Sequence, residues 1–517
     1  MTPSSGRLLS ARRCGVAGLG LALVVGLSGL AGPASAAPTP SKPSGIRVAS
    51  VADRGFTVTL RASAHATGYR IWASTTKSRL ALSTIGGTTA SARSARPRVT
   101  IGGLAVTSAP YYYRVQAIGK GKTRYSDVMT TSLRVGAPTG LRSTSSATGG
   151  LALTWGGRPA ARYDVQQATD AAMSRGVRTW STRSVSQSFS PYGLARGTTY
   201  WFRVRAGNGS STSTWTTPVS QVARSRDLSV RVMTYNVLRR GADGKAYDGG
   251  ERVAPWSQRG PAVVRTIAAS GADVVGLQEA SDWTDRATRS SVPGQRQADW
   301  IRARLGGGWT TASTEVTPGT RGWRRTGRYV LFDGGRFAQQ AAGSWTLAGG
   351  SNPTYAAWAV LRERSTGARM IAISAHLVPE DGASLDRRRL AETETLLARA
   401  AALRASQGGA QVVYLGDFNS AVGKRHPLDG PGVAFRRARV ADGVQAAQSV
   451  SARARYNSAN QLRRTPPATG IHIDHVFAPL GVGVRSWDMP LALRSGRFTG
   501  VIASDHNAVV SDVVLPW

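Results

Sequence analysis

Six short apolar runs in the second half of the chain end in polar residues of one chemical kind. They are Asn236, Glu279, His376, Asp417 with Asn419, Asp474, and Asp505 with His506. Carboxylates and amides of this kind suit a hard, oxygen-liking cation such as Mg²⁺ or Mn²⁺. The histidines add groups that exchange a proton near neutral pH. A lone Asp or Asn at the end of a strand is ordinarily a turn residue or a helix cap, so it is the ordered recurrence that points to chemistry. Neither an H-E-x-x-H pair nor a glycine-rich phosphate loop occurs, which excludes a helix-borne zinc protease and a nucleotide kinase.

The runs that must position these residues are strand-like: 230–236, 272–279, 328–333, 370–376, 411–419, 471–478 and 507–515. Between them lie an amphipathic stretch near 258–270 and a longer one near 384–406, with recurring Leu and Ala. Strands alternating with helices argue for two sheets faced by helices. Strand alternation turns His475 to the face opposite Asp474, as a packing residue. His472 shares the Asp474 face but is expected to stay out of the site, and His65 and His426 read as surface residues.

The chain has 517 residues, enough for about three domains. Only 18% of residues are charged, against an average of about 25%, and 41% are hydrophobic, which excludes global disorder. Lys and Arg number 66 against 28 Asp and Glu, a formal +38, and bias any partner towards phosphate, sulfate or an anionic surface. Residues 229–517 hold 37 basic and 23 acidic side chains, or +14, leaving 29 and 5, or +24, for residues 1–228.

Residues 1–36 combine Arg7, Arg12 and Arg13 with a short apolar stretch and then Ala34-Ser35-Ala36. That is the layout of a secretory signal cleaved after Ala36, and it predicts a secreted or cell-surface protein. The only cysteine, Cys14, lies inside it, so the mature chain has no disulfide and no cysteine metal site. No other run approaches the ~18 apolar residues of a membrane span.

Between the signal and the chemistry-bearing half lies a repeated unit. Tyr111–Ala117 is echoed by Tyr200–Ala206 at an offset of 89 residues, and Gly45-Ile46-Arg47 by Gly140-Leu141-Arg142 at 95. Short alternating runs separated by Gly, Ser and Thr read as small antiparallel strands that close into sandwiches. With Trp155, Tyr163 and the Leu194-x-x-Gly197-x-x-Tyr200 corner, the second unit (136–225) resembles a fibronectin type III domain. The first (45–135, after a linker at 37–44) is a degenerate member, with Leu60 where the core Trp is expected. The aromatics are expected to be core residues, and the two units a spacer and a tether for an anionic polymer.

The order TYN, LQE, SAH, GDFN, IDHVF, SDH across residues 229–517 resembles the endonuclease/exonuclease/phosphatase superfamily, the fold of pancreatic deoxyribonuclease. The resemblance implies a multidomain protein: two all-β sandwiches, then an α/β four-layer (α-β-β-α) catalytic domain. It implies that Glu279, Asn236 and Asp505 bind Mg²⁺ or Mn²⁺. His506 is similar to the family's essential histidine and Asp474 to the carboxylate that orients it. Asp417 would orient or deprotonate the attacking water, Asn419 would hold it, and His376 would contact the phosphate and leaving oxygen. Gln278 and Tyr329 have family counterparts near the site. The chain departs from several branches in placing Asn507-Ala508 after SDH where Pro-Val is usual, and it lacks the inositol phosphatase Trp-Cys-Asp-Arg run.

The superfamily's substrates vary, so fold does not settle substrate. The basic composition, the signal, and arginine clusters at 321, 324, 325 and 328 and at 436, 437 and 439 favour extracellular DNA or RNA, with Trp323 as a stacking candidate. The alternatives are a sphingomyelinase-like phospholipid phosphodiesterase, a small-molecule phosphatase, and a non-catalytic surface-binding protein.

Overall fold

The computed structural model describes residues 37–517 apart from 53, 81–89, 92–93, 105–109, 146–148, 158–159, 184–186, 209–210, 281–295, 313–326, 349–352, 381 and 422–428. The expected signal, Trp323, His426 and the arginines at 321, 324 and 325 lie outside the described residues.

The N-terminal part consists of small antiparallel sheets in two pairs. In the first pair the strand Gly55–Arg61 and the strand Tyr111–Ile118 contribute to one buried cluster, which contains Phe56, Leu60, Tyr69 and Tyr113. In the second, Trp155, Tyr163, Trp180 and Phe202 do the same. The aromatics singled out in the sequence are therefore core, as their alternation within strands requires.

The C-terminal part is a mixed α/β domain with two mixed sheets. The first has seven strands, with Asp227–Asn236 central between Val274–Gln278, to which it is parallel, and Val509–Pro516, to which it is antiparallel. The second has six, with Gln411–Asp417 between Arg369–His376 (parallel) and Asp474–Pro479 (antiparallel). A cluster including Val232, Val274, Ala372, Val413, Leu415 and Val476 takes residues from both sheets and lies between them. Gly276 marks their closest approach: a Cβ there would sit 2.8 Å from Leu415 and 3.2 Å from Ser374.

Helices cover the outer faces. α1 (Trp256–Ser270) lays Trp256, Val263 and Ile267 on the first sheet with Ile301 of α2 (Gln297–Leu305). Asp243 accepts the Trp256 N–H at its start, and Gly271, at φ 65°, ends it in the left-handed conformation that favours glycine. α3 (Ala383–Ser406) and α4 (Gly430–Arg437) supply Leu396, Ala400 and Phe435 to the second sheet's outer cluster. No helix among the described residues is long and apolar enough to cross a membrane.

The second pair of sheets packs against the C-terminal domain. Val514 of the first sheet belongs to the sandwich's own core. Gly481 N–H donates to Ser190 (2.9 Å), Thr182 donates to the Gln445 carbonyl (3.0 Å), and the Tyr192 hydroxyl donates to Gln448. Apolar burial joined to hydrogen bonds makes this a packed interface, because a hinged spacer would leave both surfaces to water.

Candidate active site

Register builds the site. Within the second sheet His376 pairs with Asp417, and Asp417 with Asp474. Residues opposite one another on neighbouring strands share a face, so three strands deliver these side chains side by side. In the first sheet Asn236 ends its strand opposite Gln278, and Glu279 follows at once. The facing ends of the two sheets bring the sets together: the Asn236 amide donates to Asp417 (3.1 Å) and to Glu279 (3.4 Å).

His506 stands between two carboxylates. Its Nδ1 lies 2.9 Å from Asp474 Oδ2 and its Nε2 3.7 Å from Asp417 Oδ2. His376 Nε2 approaches the same Asp417 oxygen at 3.5 Å. Asp417 and Asp474 are almost wholly buried, and His506 keeps 11% of its side-chain surface exposed, so the histidine is the group presented to a substrate.

The electrostatics follow from burial and charge. Burial opposes a charge on His506, but Asp474 and Asp417 outweigh it and hold the imidazole well above its ordinary value. Burial, then the Asp474 charge, raises Asp417. Burial lowers His376. Glu279, despite a burial that would raise it, is held below the usual carboxylate range by His376, Arg239 and His506. At neutral pH the site thus holds an ionised Glu279 and a protonated His506.

Two backbone positions are strained: Glu279 (φ 53°) and Asn419 (φ 48°) lie in the left-handed region, where non-glycine residues cost about 1–3 kcal/mol and cluster at functional sites. The Asn419 N–H donates to Asp417 Oδ1 (3.0 Å) and its amide to the Leu377 carbonyl (3.1 Å). Asp505 faces the first sheet: Tyr247 donates to its Oδ2 (2.6 Å), and Ser504 donates to its Oδ1 (3.2 Å) and to the Asn236 carbonyl (2.7 Å). All eight residues proposed from the sequence therefore lie at one end of the domain.

The donor set fits a cation. Asp417, Asp474 and His506 offer ligand atoms within 4.8 Å of one another, a group that could hold a metal ion. Asp474 Oδ1 is buried with no hydrogen-bond partner, and an orphaned carboxylate oxygen is what a positive ligand satisfies.

Several supporting residues gave no signal in the sequence. Arg259, wholly buried in α1, donates to the carbonyls of Val237, Leu238, Ala254 and Ala503 and to Asp243, clamping the segments that carry Asn236 and Ser504. Arg389 does the same beyond His376, on the Val378 and Glu380 carbonyls and Asp386. Gln278 is structural, tied to Thr234 (3.2 Å) and Ser374 (3.0 Å). His472 bonds the Ala454 and Tyr456 carbonyls. His475, on the opposite face, pairs with Asp442 (3.0 Å) and stacks on Phe477.

The sequence profile of the Endonuclease/Exonuclease/phosphatase family matches residues 233–506, more than half of the chain. No curated protein matches it. Among solved structures the chain is similar to an endonuclease/exonuclease/phosphatase family protein from Bacteroides thetaiotaomicron (16% identity, 56% of this chain and 96% of that one, TM-score 0.42). It is also similar to a mannosyl-6-phosphatase from Bacteroides thetaiotaomicron VPI-5482 (16%, 55% and 99%, TM-score 0.41). A third is the human Nocturnin catalytic domain with bound sulfate (20%, 56% and 97%, TM-score 0.38).

Proposed function

The chain belongs to the endonuclease/exonuclease/phosphatase family, and on that premise we propose that it is a secreted, Mg²⁺- or Mn²⁺-dependent phosphodiesterase that hydrolyses DNA or RNA. The observation that carries the chemistry is His506 hydrogen-bonded to Asp474 with Asp417 on its other side. The substrate class rests on charge: a formal +38 and, beside Glu279, the exposed Arg239, whose guanidinium lies 3.7 Å from the carboxylate. Basic groups of this kind draw in polyanions and position their phosphates.

The family resemblance assigns the cation to Glu279, Asn236 and Asp505, and the neighbouring Asp417, Asp474 and His506, with the unpartnered Asp474 Oδ1, form a second group of ligand atoms able to hold it. When bound there it supplies Lewis-acid charge to the phosphoryl oxygens. The remaining steps belong to side chains. Asp417, raised by burial and Asp474, takes a proton from the attacking water, which Asn419 helps to hold. The new P–O bond forms in line with the bond to the leaving oxygen. His506, charged and oriented by Asp474, stabilises the developing negative charge and gives its Nε2 proton to the leaving oxygen, which His376 contacts; Asp417, 3.7 Å from that nitrogen, returns the proton it took from water.

The N-terminal sheets are read as two fibronectin type III-like sandwiches (45–135 and 136–225) that hold anionic polymer, and residues 1–36 as a cleaved signal. The test is digestion of supercoiled plasmid, single-stranded DNA and RNA with Mg²⁺ or Mn²⁺, beside EDTA and His506→Ala. Cleavage that disappears in both controls is expected. Nucleic acid left intact under every metal would overturn the substrate assignment and direct the search to phospholipid diesters and sugar phosphates.

A further inference from the structure

Outside the first sheet, between α1 and the segment 488–503, runs a groove of about 690 Å³, within the range of small-molecule sites. It is separate from the catalytic cluster, since Glu279, His376, Asp417 and Asp474 do not line it. The two share only a wall, at Ser504 and His506.

The groove has direction. Arg231 and Tyr235 both line it, and four strand steps at ~3.3 Å separate them by about 13 Å. Its upper end adjoins His506. Its lower end lies where α1 finishes, because Asp273, just past that helix, exchanges hydrogen bonds with the Arg231 backbone. The middle is apolar, with Ala262 on one side, Leu491, Phe498 and Ile502 on the other, and Val510 as floor.

The lower end is cationic. Arg231 is ion-paired with Asp512 (3.2 Å). Arg265, exposed on α1, makes no ion pair or hydrogen bond among the described residues. Around the groove three arginines, at 231, 265 and 453, meet two carboxylates, Asp488, which Arg453 engages, and Asp512, which Arg231 engages, so the surplus charge is that of Arg265. An apolar channel with surplus positive charge at one mouth is complementary to a chain with a negative head.

We propose that this groove binds a single-chain amphipathic anion, an alkyl or acyl chain lying along Val510 with its carboxylate or phosphate head at Arg265, beside the Arg231–Asp512 pair. The site does not depend on the hydrolytic reading, because binding is measured without metal or nucleic acid.

The test is calorimetric titration of the whole mature chain in EDTA with laurate, lauryl phosphate and lauryl alcohol. Both anions are expected to bind one per chain, and the tighter one identifies the head group. Ala269→Trp, at an exposed α1 position lining the lower groove, should weaken all three by about tenfold or more through lost space. Arg265→Glu should weaken the anions by about tenfold, the effect of ~1.4 kcal/mol, and leave the alcohol unchanged. Absence of binding by both anions overturns the proposal, as does wild-type affinity in Ala269→Trp with a native circular dichroism spectrum. Arg265→Glu, an exposed substitution the fold tolerates, decides independently: unchanged anion affinity there also overturns it.

Discussion

The buried pair His475–Asp442 makes stability depend on pH in a defined direction. His475 is 2% exposed, with Nδ1 3.0 Å from Asp442 Oδ2 and Nε2 2.9 Å from the Ser420 carbonyl. Burial pulls its pKa down, but Asp442, by charge and hydrogen bond, lifts it to about 9 from the ordinary 6.5. A group raised on folding stabilises the protein fully below its unfolded value, and that stabilisation disappears as pH rises through its folded value. At ~1.36 kcal/mol per pH unit, the contribution is about 3 kcal/mol at pH 6, about 2 near pH 7.5, and nearly zero by pH 10. The perturbation is the double variant Asp442→Asn/His475→Gln, which keeps a hydrogen-bonded amide pair and removes both charges. Its absolute stability is not the readout, since replacing a buried ion pair with neutral groups is often neutral. The readout is the difference between the two urea-unfolding free energies, measured from pH 6 to pH 10 in EDTA. That difference should change by about 3 kcal/mol, with the wild type losing ground as pH rises. Parallel curves would refute the charged state assigned to His475.

Arg259→Leu removes six hydrogen bonds and leaves Asp243 without its ion pair, and should cost about 3–5 kcal/mol in the same urea assay; a loss below 1 would show the clamp to be dispensable. Asp474→Asn should lower the hydrolytic rate by roughly 10²–10⁴-fold with little effect on the circular dichroism spectrum, and a rate within tenfold of wild type would remove Asp474 from the mechanism. Tyr247→Phe frees Asp505 Oδ2 and should weaken Mn²⁺ binding about 10–100-fold by calorimetry; unchanged affinity would place the cation away from Asp505. Residues 227–517 expressed without the sandwiches uncover Val514, at about 1.5–3 kcal/mol for such a side chain, and should unfold at lower urea than the whole chain. An equal midpoint would show that the interface adds no stability to the C-terminal domain.

The strands that carry chemistry were legible because each is a short apolar run ending in a polar residue. The 230–236 and 370–376 runs became Asp227–Asn236 and Arg369–His376, and the 258–270 and 384–406 stretches became α1 and α3. The edge strand Phe337–Ala348 and its inner neighbour Thr354–Glu363 were missed: Ala, Gln, Gly and Ser in the first and a run of mostly apolar residues in the second give no contrast between faces. Period-2 alternation separated His475 from Asp474 correctly, because it follows from strand geometry alone. What His475 meets did not, since Asp442 is 33 residues away in another strand. The same limit hid Arg259 and Tyr247. Their partners are loop carbonyls and a distant carboxylate, and such contacts leave no local pattern.

The Asp227–Asn236 strand also sets what the sandwiches can contribute. At one end Asp227 accepts the Gly193 N–H of the second sandwich (2.6 Å); at the other, Asn236 reaches Asp417 and Glu279. Nine steps at ~3.3 Å put about 30 Å between them. An arginine on the sandwich therefore cannot touch the phosphate being cleaved, and the packed interface prevents it from swinging there. If the substrate is the proposed polynucleotide, such an arginine would act by holding a distant stretch of the same polymer and raising the local concentration of phosphates at His506. On the proposed nuclease reading, charge placed about 30 Å from the chemistry acts only on a substrate long enough to reach both, so short oligonucleotides should gain nothing from the N-terminal half.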